Sequence, residues 1–347
     1  MKILKIFTFL LILVTGYVFY IFYSTGYFRK IEPFTGTGEI RSYSLPGVED
    51  LAIDPLENFI ILSSDDRAAR RDGKSKQGGL YYLNLNDDAD PVLMTQDFDS
   101  DFYPHGISMV QLSDSVYRIW AINHPEKDSH QIEIFDLVGS KLTHKETLNH
   151  PLLISPNDLI AIDSSRFYFT NDHGFQSKWG LLAENYLGLA VSTVIYYDGI
   201  TYKEAAAGIA YANGITFDNK RSLIYVASPR SFAIKVYKRA DDGTLSYLED
   251  IDVDTGVDNL MLDKAGNIWS GAHPDLLKFT SYAAGKTEIA PSEVITIQYK
   301  GQNDWTISGV FLDDGGVISG SSVAVPTKKH IFIGNVMDNK MIRLAKK

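Results

Sequence analysis

Among its 347 residues there is no cysteine. Disulfides, thiolate metal sites, CxxC redox chemistry and a cysteine nucleophile are thereby excluded. The compartment is not, because a secreted chain can do without disulfides. Positive charge is also in short supply. With 33 Lys and Arg against 43 Asp and Glu the formal charge is −10, and no nucleic-acid partner is expected. The one basic cluster, Arg67, Arg70, Arg71, Lys74 and Lys76, is mixed with Asp65, Asp66 and Asp72 and reads as a solvated loop. There is no GxSxG elbow, HExxH pair, GxxxxGK[ST] loop or twelve-residue EF-hand loop, which leaves the common motif-borne chemistries without support. Beyond residue 35 long helical periodicity is missing as well. A 45% apolar share with 22% charged residues nevertheless belongs to a folded globular chain.

One long apolar run is present. Residues 6–23 (IFTFLLILVTGYVFYIFY) carry no charge, and eighteen helical residues span about 27 Å, close to the bilayer core of about 30 Å. Tyr17, Tyr20, Tyr23 and Tyr27 gather at its distal end, where amphipathic rings favour the headgroup region. Lys2 and Lys5 precede the run and Arg29 and Lys30 follow it. No small-x-small cleavage site follows, so an uncleaved transmembrane signal anchor is expected, with a cleaved signal peptide as the competing reading. The expected division is residues 1–30 as anchor and flank, and 31–347 as one catalytic domain outside the cytoplasm. That domain would be periplasmic or extracellular, and secreted if the run is removed.

The remainder is repetitive. Six segments share two small or polar residues, an apolar strand, a turn and a second apolar strand. They start at Glu49-Asp50, His105-Gly106, Asn157-Asp158, Asn213-Gly214, Asp258-Asn259 and Ser308-Gly309, at spacings of 56, 52, 56, 45 and 50 residues. That period suits four-stranded propeller blades and is too long for ankyrin or leucine-rich repeats. Runs such as GLYYLNL, QIEIFDL, TVIYYDG, AIKVYKR and EVITIQY supply outer strands. A strand within residues 38–45 is expected to pair with the C-terminal strands and close the ring, removing exposed edges. The expected fold class is all-β: a six-bladed β-propeller behind an N-terminal transmembrane or signal-anchor helix.

In a propeller the innermost strand of each blade lines the central channel, so the paired residues converge at one end of it. Glu49, Asp50, His105, Asn157, Asp158, Asn213, Asp258 and Asn259 would meet there. Crowded carboxylates repel and desolvate badly without a cation. Hard oxygens without thiolates favour Ca²⁺. Capping of local backbone groups by Asn and Asp before strands explains one or two of these pairs less demandingly. The ends of the second strands, Asn123-His124, Asn171-Asp172-His173 and His273, should rim the same pocket. Four of the eight histidines thus fall at one end, as general-base machinery requires.

These motifs resemble the paraoxonase/arylesterase family of calcium-dependent lactonases over nearly the whole chain after residue 45. The likeness rests on Pro104-His105-Gly106-Ile107-Ser108, Asn123-His124-Pro125, Asn157-Asp158 and Thr170-Asn171-Asp172-His173. It continues through Ala212-Asn213-Gly214-Ile215, Val257-Asp258-Asn259 and Gly320-Ser321-Ser322-Val323-Ala324. The resemblance implies hydrolysis of a small-molecule lactone or aryl ester and two Ca²⁺ ions. Glu49, Asn157, Asn213, Asp258 and Asn259 match ligands of a catalytic ion; Asp50, Asp158 and the Ile107 carbonyl match those of a structural one. His105 matches the proposed general base and His124 the histidine that supports it. Residues 176–190 resemble an amphipathic helix beside the active-site mouth, read either as a lid or as a membrane-surface contact. The ring-closing disulfide of vertebrate members cannot form here, so closure must rest on strand pairing. The alternatives are a gluconolactonase- or regucalcin-like sugar lactonase, or a non-catalytic strictosidine-synthase-like propeller.

Overall fold

The computed structural model describes residues 1–347 apart from 36–37, 75, 127–128 and 347. Short β-branched and aromatic runs broken by turns fold into six four-stranded antiparallel sheets. From the channel outward, blade one is Val48–Ile53, Phe59–Ser64, Gly79–Asn84 and Val92–Leu93. Blade two is Pro104–Ser113, Val116–Glu126, Ser129–Val138 and Lys141–Leu148. Blade three is Pro156–Ala161, Phe167–Asn171, Ser192–Tyr197 and Tyr202–Ile209. Blade four is Ile215–Asp218, Leu223–Ser228, Ala233–Arg239 and Leu245–Asp252. Blade five is Gly256–Leu262, Ile268–His273, Ser292–Gly301 and Asp304–Asp313.

Blade six departs from the expected register. Its innermost strand is Ser321–Pro326, followed by His330–Asn335 and Met341–Ala345. Ser308-Gly309 lies instead on the outermost strand of blade five, where Ser308 faces Thr296 and Gly309 faces Ile295. The long hairpin Ser292–Gly301/Asp304–Asp313 imitates an inner pair in sequence. The true sixth pair is Ser322-Val323, small and uncharged. The expected closure does occur: Ile40–Tyr43 pairs antiparallel with the last strand, Ile40 opposite Leu344 and Tyr43 opposite Met341.

Apolar side chains fill the gaps between blades rather than one common centre. Six buried clusters each bridge two neighbouring blades, such as Ile61 and Leu80 against Ile119 and Phe135 between blades one and two. Around the channel, neighbouring innermost strands contact one another directly.

Among the described residues four α-helices lie outside this ring. Helix α1 (Lys2–Ser24) has no buried residue and is long and apolar enough to cross a membrane, a property shared by anchors and signal peptides. Helix α2 (Arg67–Arg71) is capped by Asp66, whose carboxylate accepts the Ala69 N–H. Helix α3 (Lys178–Leu187) runs from a Ser177 cap to a left-handed Gly188. Helix α4 (Leu276–Ala283) is capped by Asp275.

The closing strand makes a prediction possible. Deleting residues 1–30 leaves Ile40–Tyr43 in place and should give a soluble chain with one cooperative melting transition. Deletion through Tyr43 exposes the edge at Met341–Ala345 and should lower the melting temperature sharply or cause aggregation by size-exclusion chromatography. Equal stability of the two truncations would show that the ring does not depend on this pairing.

Candidate active site

Irregularities in the innermost strands create the site. The ladder slips between Val48 and Asp50, Pro104 and Ile107, Pro156 and Leu159, Val257 and Leu260, and Ser321 and Ala324. An extra residue in one strand re-aims side chains, and the slips fall on Glu49, His105-Gly106, Asn157-Asp158, Asp258-Asn259 and Ser322-Val323. In blade four Asn213 and Gly214 sit just before the strand, bound to Ala227 through both backbone groups. Glu49, Asp50, Asn157, Asp158, Asn213, Asp258 and Asn259 are all buried, and all seven lie at one end of the channel.

Four oxygens in this group stand out. Glu49 Oε2, Asn157 Oδ1, Asn213 Oδ1 and Asn259 Oδ1 are buried without a hydrogen-bond partner. In three of these groups the other polar side-chain atom is engaged. Asn157 Nδ2 donates to Asp172 Oδ2 (3.2 Å), and Asn259 Nδ2 donates to Glu49 Oε1 and to the Glu49 carbonyl (2.9 Å each). Asp258 Oδ2 lies 2.9 Å from His273 Nε2, and the His273 ring stacks on Phe279. A lone pair buried without a partner is costly; three of the four belong to residues that line one cavity and the fourth to Asn259, bonded to Glu49, and hard oxygens of this kind suit a cation. Among the described residues no three His, Cys, Asp or Glu side chains form a ligating cluster; the donors are mixed amides and carboxylates.

A second pair lies behind them. Asp50 accepts the N–H groups of Leu51 (2.8 Å) and Ile107 (2.7 Å). Asp158 likewise accepts those of Leu159 and Ile215 (2.7 Å each). Burial, and then the charge of Glu49, pushes the Asp50 carboxyl well above its ordinary range. Burial and then Asp50 do the same to Asp158. Gly106 permits this crowding, since a Cβ there would stand 2.5 Å from Asp158 Cα and 2.6 Å from Asp158 Oδ1.

His105 enters from blade two with Nε2 3.4 Å from Glu49 Oε1. Its Nδ1 meets His124 Nε2 at 3.0 Å, and His124 Nδ1 meets His130 Nδ1 at 2.7 Å. Burial first, then His105, His130, Arg67 and Arg70, holds the His124 pKa well below the imidazole range. His173 is tied through Nδ1 to Glu184 Oε2 of α3 (2.8 Å), and Glu184 also accepts the Phe175 N–H (2.7 Å). Tyr211, at φ +64, stands beside Asp172, whose charge, followed by burial, pushes the phenol pKa well up.

These groups face a cavity of about 500 Å³ lined by Glu49, Arg67, His105, Asn157, Asn213, Asp258, His273 and Tyr211, and roofed by Leu182, Tyr186, Leu276 and Phe279. A cleft of about 900 Å³ adjoins it, lined by Tyr103, His124, His130, His173 and Leu182 among others. Two expectations change here. Asn123 and Asn171 do not rim the cavity; they hold the backbone of neighbouring segments, Tyr103 N and Asp101 O for Asn123, Ser155 N and Leu152 O for Asn171. The basic cluster is not all solvated loop: Arg67 is 12% exposed, lines the cavity, and keeps Nη1 buried without a partner. Glu184 and His130 gave no sequence signal, since a lone Glu in a helix and a lone His after a turn are ordinary surface choices.

A six-bladed ring with buried polar side chains and a histidine at one channel mouth defines a β-propeller whose candidate active site lies at that channel end. Residues 71–342 match the arylesterase family. Serum paraoxonase/arylesterase 2 of Gallus gallus is 34% identical over 306 residues, covering 85% of this chain and 86% of that one. Serum paraoxonase/arylesterase 1 of Homo sapiens is 33% identical over 302 residues, covering 84% and 83%. The structure of a luciferin-regenerating enzyme superimposes with a TM-score of 0.57 at 12% identity over 90% of this chain and 95% of that one, a likeness of fold. The chain belongs to the arylesterase family and is an ester or lactone hydrolase.

The close approach at Gly106 is testable. Gly106→Ala must push Asp158 or the inner strand of blade three aside, and overpacking of this kind costs about 1–3 kcal/mol. A lowered urea midpoint with unchanged m-value is expected. An unchanged midpoint would mean the inner strands tolerate wider spacing.

Proposed function

We propose that the chain is a Ca²⁺-dependent hydrolase of lactones and aryl esters in which His105 takes the proton of the attacking water. The observation that carries this is the set of four partnerless buried oxygens, of which those of Glu49, Asn157 and Asn213 belong to residues lining one cavity with His105, while Asn259 is hydrogen-bonded to Glu49. Glu49, Asn157, Asn213, Asp258 and Asn259 would hold the catalytic ion. Asp50, Asp158 and the Ile107 carbonyl would hold the structural one, a reading supported by two buried carboxylates held by backbone N–H groups. When bound, Ca²⁺ supplies Lewis-acid stabilisation of the developing oxyanion. The protein's own groups do the rest. Asp172 turns the Asn157 amide so that its oxygen, not its nitrogen, faces the cage. His105, with His124 behind it, is placed to accept a proton from water. Leu182, Tyr186, Leu276 and Phe279 form apolar walls that suit an acyl chain or aryl leaving group and exclude water.

The anchor reading has its own support. The residues after α1 are built into the propeller face. Leu276 N donates to the Thr25 carbonyl (2.9 Å), Arg230 Nη1 reaches Ser24 Oγ (3.2 Å), and Arg29 pairs with Glu293 through both guanidinium nitrogens (2.9 and 2.5 Å). Thr25 lines the cavity itself. Cleavage near residue 30 would discard these contacts, so retention of α1 as a membrane anchor fits them better than removal. Helix α3 leaves Trp179 81% exposed, with Phe175, Tyr186 and Leu187 also exposed. An apolar surface of this kind beside an anchor suits contact with the membrane surface.

Two experiments bear on the cation and the base. Chelation should abolish hydrolysis and lower the melting temperature, because a bound ion stabilises by about 2.7 kcal/mol at a hundredfold excess over Kd. Asp50→Ala should then chiefly lower stability and Asn213→Ala chiefly lower turnover. A melting temperature indifferent to chelator would remove the structural ion from this account. His105→Gln should keep the fold and calcium-dependent melting while cutting lactone turnover by about 10²–10⁴-fold, the scale of general-base catalysis. Near-normal turnover would transfer the role to Asp172, His173 or His273. A panel of aliphatic lactones, sugar lactones and aryl esters separates this reading from a sugar lactonase.

A further inference from the structure

We propose that the cleft of about 900 Å³ beside the catalytic cavity is a subsite for an anionic group of the substrate, bound by Arg70 and Lys178. The preferred lactones and esters then carry a carboxylate or a phosphate at a distance from the scissile bond. The inference rests on the hydrolase reading and names its substrate class. His173, Leu182 and Asn185 line both the cleft and the cavity, so one molecule can occupy the two together. Their linings differ in charge. The cavity sets the carboxylates of Glu49, Asp172 and Asp258 against the guanidinium groups of Arg67 and Arg230. Arg70, Lys178 and three histidines line the cleft, and among the described residues no Asp or Glu does. In a chain whose formal charge is −10, a concave surface of that composition is an exception.

Arg70 is held in place from two sides. Its Nη2 lies 2.7 Å from Asp65 Oδ2, and its guanidinium carbon stands 4.8 Å from the centroid of the Tyr103 ring. A carboxylate and an aromatic face together fix the orientation of such a group. A guanidinium has five N–H donors, and Asp65 cannot take them all. The same Asp65 oxygen also faces Arg67 Nε at 4.0 Å, so one buried acid serves two cations. Lys178 comes from another element, as the first residue of α3. It is exposed and pairs with no acid among the described residues. The acids at the border of the cleft are committed elsewhere. Glu184 holds His173 and the Phe175 N–H, and Asp172 accepts from Ser155 and Asn157.

Between these polar ends the cleft offers Ile154, Phe175, Leu181 and Leu182, a wall suited to a carbon chain. A neutral substrate would use that wall and leave both cations to water. An anionic one exchanges water for charge-assisted hydrogen bonds, which are roughly twice as strong as neutral ones. The planar fork of Arg70 matches the paired oxygens of a carboxylate or phosphate, and Lys178 adds a mobile point charge.

The test uses the full-length chain with calcium and a series of γ-lactones of increasing side-chain length. Each side chain ends either in a carboxylate or in the primary carboxamide of the same length, so a pair shares its scissile bond and differs by one charge. At the length that reaches the cleft, kcat/KM should favour the carboxylate by about tenfold, mostly through KM. The preference should fall as salt is raised, because exposed charges are screened. Lys178→Gln should cut the ratio by about threefold, Lys178→Arg should keep it, and Lys178→Glu should abolish it. Taking the ratio within each variant cancels any general loss of activity. Replacement of the exposed Lys178 does not endanger the fold, whereas replacement of Arg70 would strand the buried Asp65. Equal kcat/KM for both members at every length would overturn this inference and leave the hydrolase reading intact. A preference indifferent to both salt and Lys178→Glu would do the same. Hydrolysis of neither member at any length would also overturn it, and failure on aryl esters as well would take the hydrolase reading with it.

Discussion

Negative charge and bare oxygen, packed into the mouth of a channel, is the constraint on which this molecule turns. Glu49, Asp50, Asp158 and Asp258 are buried at one end of it, where each unpaired charge would cost several kcal/mol. The protein meets part of that cost itself. Backbone N–H groups from two blades hold Asp50 and Asp158, His273 faces Asp258, and Asn259 with His105 faces Glu49. Left without a partner are one oxygen on Glu49 and one on each of three asparagines, together with Arg67 Nη1 and His273 Nδ1 at the same cavity. Four bare hard oxygens in a region of negative charge suit a cation.

The ring exists to aim those atoms. A polar pair on each of several inner strands becomes a cage only if the strands stand in one register, and register depends on closure and on the tight approach at Gly106. Without a disulfide, closure falls to Ile40–Tyr43 against Met341–Ala345, supported by the apolar clusters between blades one and six and between blades five and six. The same pairing places Glu49 of blade one beside Ser322 of blade six, whose hydroxyl donates to the Glu49 carbonyl (2.7 Å). The seam of the ring therefore passes next to the site.

Five of the six inner strands were legible in the sequence because a polar pair precedes an apolar run in each. The sixth was not, because Ser322-Val323 carries no charge to mark it, while the outer hairpin of blade five offered a better-looking pattern at Ser308-Gly309. The cage was legible for the same reason as the five strands, since equivalent positions on a ring must converge. The slips in the ladders that turn both members of a pair toward the channel mouth have no sequence signature of their own. Asn123 and Asn171 show the opposite failure. An asparagine at a strand end has four hydrogen-bonding sites, and these two spend theirs on loop backbone and on Glu133 and Thr193 of the next strand. His130 escaped because contact across a sheet depends on which residues end up opposite one another, not on spacing within a strand.

Depth orders the chemistry. Innermost strands carry the buried oxygens and His105. Ends of second strands carry His124, Asp172 and His273, each touching an inner-strand group and fixing its orientation: His105, Asn157 and Asp258 in turn. The covering layer is more loosely made. Glu184 of α3 holds His173 and the backbone at Phe175, while α4 supplies Phe279 beneath His273. The segment after α1 is fastened to α4 through Thr25 and Leu276 and to blade five through Arg29 and Glu293. Movement of α1 at a membrane would be felt first by the roof of the cavity and last by the cage, because the roof rests on a few hydrogen bonds and the cage on the whole ring. Access to the site and chemistry within it are thus carried by parts of very different stiffness. A substrate-dependent change in the roof need not disturb the alignment of Glu49, Asn157, Asn213 and Asn259.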